Sequence, residues 1–78
     1  MATAITTTTV YEGLAAQDRL LILKVGTDDA NDYVDVEYLL GTDWVLSERF
    51  LNSGAKICFF GSSKFRIVPH GIAAYNLG

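Results

Sequence analysis

The chain is poor in the residues that do chemistry. Its 78 residues include one cysteine, one histidine, one proline and one methionine, and no acid follows Glu48. A lone Cys58 permits no internal disulfide. A lone His70 beside a lone thiol cannot supply the Cys/His ligand set of a zinc site. No apolar run is longer than stretches such as Leu20-Leu21-Ile22-Leu23, far short of a membrane span. The N-terminus has neither a positive n-region nor a long apolar h-region, so no secretory signal is expected. These shortages point to a soluble protein without cofactor or metal, made in a reducing cytoplasm, with incorporation into a virion the favoured final location.

Catalytic inventories are equally thin. Nucleophilic catalysis needs a nucleophile, a base and an orienting group. Only Cys58 and His70 are available, and no motif brings them together. Gly61-Ser62-Ser63-Lys64 is the last fragment of a phosphate loop, followed by a strand pattern where that loop needs a helix. The acids Asp28, Asp29, Asp32, Asp35 and Glu37 cluster, but GTDDANDYVDVE lacks the ligand order and central glycine of a calcium loop. Solvated turn acids are the simpler account. Asp35 and Glu37 share one strand face, yet so short a chain has little volume for the deep cleft in which paired carboxylates work.

What the chain does contain is β-pattern. Residues 3–11 are rich in threonine and alternate weakly. Arg19–Val25 is a short continuous apolar run and reads as a strand buried on both faces. Tyr33–Leu40 alternates, with Val34, Val36, Tyr38 and Leu40 inward and Asp35 and Glu37 outward. Residues 44–52 fit a short helix capped by Thr42 or Asp43 as well as they fit a strand. Ala55–Phe60 and Lys64–Val68 form a hairpin around Gly61-Ser62-Ser63, with Phe59 and Phe65 as core and Pro69 ending the second strand. The tail adds an edge strand through Ile72 and Ala74. Leu14–Asp18 reads as a turn or one helical turn, and Gly26–Asp32 as a loop by composition. The sum is a mainly β fold, a small antiparallel β-sandwich or barrel of about five to seven short strands. Residues 1–11 form an extended N-terminal arm or edge strand, and 12–78 a single small β-domain.

Charge divides along the chain. Nine acids and two bases lie in the first 48 residues, and four bases with no acid in the last 30. Basic and aromatic residues interleave around the hairpin, and a barrel of this kind could take single-stranded nucleic acid or peptide through Phe60, Lys64 and Arg66. The overall pI near 4.7 counts against a polyanion partner. Acidic and basic halves also suit contacts between neighbouring subunits.

The opening stretch favours contact as well. A threonine-rich segment without proline or charge before Glu12 is not a solubilising tail. Left unpaired it would be a sticky strand. It is therefore either the first strand of the domain or an arm that augments a neighbour's sheet. A chain this short hides only about 60% of its extended surface on folding, and such chains commonly add a staple or a partner. With disulfide and zinc excluded, the expectation is a non-enzymatic structural subunit. It would oligomerise with itself or dock on a larger protein shell, most simply as a virion accessory or capsid decoration protein. The expected contact residues are Thr3, Ile5, Thr7, Thr9 and Val10 of the arm and Ile72, Tyr75 and Leu77 of the tail.

Overall fold

β-branched and aromatic residues fill the stretches between the glycine-bearing turns, and such side chains favour extended backbone. The computed structural model describes residues 3–12, 18–25 and 31–78. They form seven strands: β1 (Thr9–Tyr11), β2 (Asp18–Lys24), β3 (Tyr33–Leu40), β4 (Asp43–Phe50), β5 (Gly54–Phe59), β6 (Phe65–His70) and β7 (Ala74–Leu77). Every pairing is antiparallel. One sheet has the order β1-β6-β3-β4 and the other β5-β2-β7. Together they make the small β-sandwich that the strand pattern predicts.

The core follows the two-residue period of each strand. Leu21 and Leu23 of β2 and Tyr75 of β7 face Val34 and Val36 of β3, Phe50 of β4, and Phe65 and Ile67 of β6 in one buried cluster. Phe65 stacks on Phe60 with ring centroids 4.5 Å apart and on Tyr11 at 5.1 Å.

The N-terminal segment closes one side of the sandwich. Ile5 exchanges two backbone hydrogen bonds with Tyr75, at 2.7 and 3.0 Å, beside β7. The chain then crosses to the other sheet, where Thr9–Tyr11 pairs with Phe65–Ile67. Ile5 and Thr9–Tyr11 are therefore paired within the chain. Within the chain, Thr9–Tyr11 is thus an edge strand of the four-stranded sheet, and Ile5 lies beside the edge of the three-stranded one.

Several expectations need correction. Residues 44–52 contain no helix: β4 pairs with β3 along its whole length, after a two-residue turn in which Gly41 adopts a φ of 66°. The hairpin ladder outweighs the helical spacing. One extra residue, Ser47, enters where the register shifts between Val36 and Glu37, so Trp44 and Leu46 lie on one face and Glu48 and Phe50 on the other. Pro69 lies inside β6 and does not end it, because β1 stops opposite Ile67 and leaves that flank of β6 without a ladder to break. The alternation of β3 puts Asp35 in solvent, yet it is 3% exposed, covered by neighbours on its own sheet face. Phe59 points outward, 61% exposed, while Phe60 takes the core position. The loop acids Asp28 and Asp29 and the turn at Leu14–Gln17 lie outside the described residues.

Candidate interaction surface

The outer face of the β5-β2-β7 sheet is built by the odd-and-even rule of a strand. With Leu21 and Leu23 pointing into the core, β2 must present Asp18, Leu20, Ile22 and Lys24 on the other side. Register places Leu20 opposite Ile57, Ile22 opposite Ala55 and Asp18 opposite Phe59. Leu20 is 41% exposed, Ile22 38%, Ile57 65% and Phe59 61%. The run that reads as a strand buried on both faces is thus buried on one. Its second face is a contiguous apolar surface, continued towards β7 by a shallow depression of about 120 Å³ lined by Thr3, Ala4, Ile22 and Lys24 among others. Single exposed apolar residues are ordinary on a protein surface, whereas a contiguous group marks a contact site.

The outer face of the other sheet differs in character. Asp35 accepts Nε of Arg49 at 2.8 Å and Nη2 at 3.1 Å, and His70 Nε2 lies 3.4 Å from the same carboxylate. Tyr33 fills the gap between the two bases: its ring stacks on His70 at 4.3 Å, and Arg49 Cζ stands 4.2 Å over it. The Asp35 hydrogen bonds raise the Arg49 pKa further. Next along the sheet, Arg66 donates to Glu37 and lies over Trp44 at 4.4 Å. This face has its charges already paired.

A third feature is a cleft of about 320 Å³ between the sheets along β4 and β5, lined by Val36, Tyr38, Glu48, Phe50, Lys56 and Cys58 among others. Burial raises the Cys58 pKa and the Glu48 carboxylate raises it further, while Lys56 opposes them. Burial also raises the pKa of Tyr38, whose hydroxyl donates to the Phe60 carbonyl at 3.1 Å. A thiol held protonated is a poor nucleophile. His70, the only imidazole, is on the far side of the four-stranded sheet beside Asp35. Cys58 and His70 therefore do not meet. Among the described residues no group of three or more His, Cys, Asp or Glu is placed to hold a metal ion, and no helix is long and apolar enough to cross a membrane.

The expected contact residues have mixed fates. The Thr3 carbonyl accepts Asn76 Nδ2 at 2.8 Å, Ile5 is bonded to Tyr75, and Thr9 and Val10 pair with Ile67 and Arg66. Thr7 is exposed, and its carbonyl takes a long contact from the Thr9 hydroxyl. Ile72 is 78% exposed, but Tyr75 is 2% exposed and Leu77 packs against the core, so these two do not offer a contact surface. The Tyr75 hydroxyl shares a 2.9 Å hydrogen bond with Tyr11, and burial followed by this bond holds the Tyr11 pKa well above the ordinary tyrosine range.

The residues of the nucleic-acid alternative are likewise occupied. Phe60 is core, Lys64 pairs with Glu12 at 3.1 Å, and Arg66 is held by Glu37 and Trp44. Sequence reasoning missed Leu20, Ile22, Ile57 and Phe59 as surface residues. The available signal was the unbroken apolar run in a chain too short to bury both faces of a central strand. Comparison of the chain with protein-family models, with curated proteins and with solved structures returns no match.

Proposed function

We infer that the protein is a non-enzymatic structural subunit that takes its place in a larger assembly through the outer face of the β5-β2-β7 sheet. One observation carries this reading: Leu20, Ile22, Ile57 and Phe59 form an open apolar surface centred on β2, a strand whose sequence is that of a buried one. Covering such a surface removes apolar area from water, the main driving force of association. The protonated Cys58 and its separation from His70 favour a structural role over catalysis. A decoration subunit on a symmetric virion shell is the specific form we favour, on the grounds of small size and a β-domain with little inventory for chemistry.

The test is Ile57→Lys. The position is exposed, so the urea midpoint of the dilute chain should hold while association seen by sedimentation velocity is lost. Association that persists at full strength in the substituted chain would contradict the reading.

A further inference from the structure

The charges that flank the apolar face decide what can cover it. On its outer side β2 reads Asp18, Leu20, Ile22, Lys24: an acid at one end, a base at the other and two apolar residues between. Among the described residues neither Asp18 nor Lys24 takes part in an ion pair. A strand with this order is complementary to its own reverse. We propose that the occupant of this face is a second copy of the chain, packed face to face about a two-fold axis that lies in the interface and crosses β2 at right angles near Leu21. The proposal rests on the assembly reading above and names the partner it leaves open.

That axis runs the two β2 strands antiparallel. Asp18 of each copy then stands over Lys24 of the other, and Leu20 over Ile22. On β5, level with these residues, Ile57 stands over Ala55 of the second copy, large against small. Phe59, level with Asp18, reaches the end at which Lys24 of the second copy projects, where a cation can sit on its ring. The contact is isologous and closes at two copies. The other two-fold arrangement, with its axis along the strands, sets Asp18 against Asp18 and Lys24 against Lys24, and like charges brought together oppose association. Pairing through the free edge of β5 would leave the apolar face uncovered.

Size sets the strength. About 23 Å of β2 and three strands plus the Ile5 segment at about 4.8 Å spacing give roughly 450 Å² per copy, or about 900 Å² for the pair, below the roughly 1,200 Å² of stable interfaces and in the range of weak, transient ones. The dimer is therefore expected to be concentration-dependent.

The experiment is a charge exchange read by native mass over a concentration series. Asp18→Lys and Lys24→Asp each convert both cross-copy pairs to like charges, so each variant alone should self-associate at least about tenfold more weakly than the unmodified chain. Mixing the two variants restores opposite charges at both pairs and should restore the dimer. Ile57→Lys should abolish it in every background. If the single reversals leave the dimer unchanged while Ile57→Lys removes it, the antiparallel arrangement is overturned and the face remains the interface. If Ile57→Lys also has no effect, the proposal and the assembly reading beneath it both fail. An unmodified chain that stays monomeric at every concentration overturns the second copy as occupant and leaves only a different protein shell.

Discussion

Ile57 stands directly opposite Leu20 across the β5–β2 ladder, and both side chains point away from the core. In the lone chain neither is needed to hold the two sheets together. Ile57→Thr, which keeps a β-branched residue, is expected to change the unfolding free energy by less than about 0.5 kcal/mol. The same kind of change at Val36, which is fully inside, should cost roughly 2 kcal/mol, because it buries a hydroxyl without a designed partner. Urea denaturation of the two variants in dilute solution measures the difference. Equal costs would mean that the Ile57 side chain is part of the fold.

The Asp35–Arg49 pair makes an ordered prediction. Asp35 is inside and Arg49 is half open to water. Arg49→Leu leaves a buried carboxylate with only His70 nearby, whereas Asp35→Leu leaves a guanidinium that can turn to solvent. The first should therefore lower the urea midpoint more than the second. The reverse order would show that the cluster is held by the stacking of Arg49 on Tyr33 and not by its carboxylate.

Gly71 sits between β6 and β7 with a φ of 65°, and a Cβ there would overlap the Asp32 carboxylate, which accepts the Ile72 N–H at 3.0 Å. Gly71→Ala is expected to destabilise by about 2 kcal/mol or more, through the backbone conformation and the displaced acceptor together. A thermal melt within about a degree of the parent would contradict this account of the turn.

Cys58 gives a pH signature. Burial and Glu48 raise its pKa in the folded chain. Its contribution to stability is therefore fully present below the unfolded thiol value and is lost as pH rises through the folded one. Alkylation by iodoacetamide should need a more alkaline pH than in the urea-unfolded chain, and Glu48→Gln should move the profile part of the way back. Coincident profiles for folded and unfolded chains would place the thiol in water.

Much of the fold was legible because its signals are local. The alternation of Val34 and Val36 in β3 and of Phe65 and Ile67 in β6 fixes their inner faces without knowledge of topology. What depended on pairing was not legible. The bulge at Ser47 reverses the parity of β4 midway, and only the β3 ladder reveals it. Asp35 reads as a solvent residue until Arg49 and His70, from two other strands, converge on it. The adjacent aromatics Phe59 and Phe60 must point to opposite faces, and nothing nearby says which points inward. The candidate surface was half legible: the run from Arg19 to Val25 announces burial on both sides, but Ile57 and Phe59 join it only through the register of β5.

The most direct test of the central claim is the native mass of the unmodified chain by light scattering over a concentration series. A face built to be covered by a second copy predicts a mass that rises with concentration from 8.5 kDa to a plateau at about twice that value. A mass that stays at 8.5 kDa throughout, in a chain that remains folded, would contradict it.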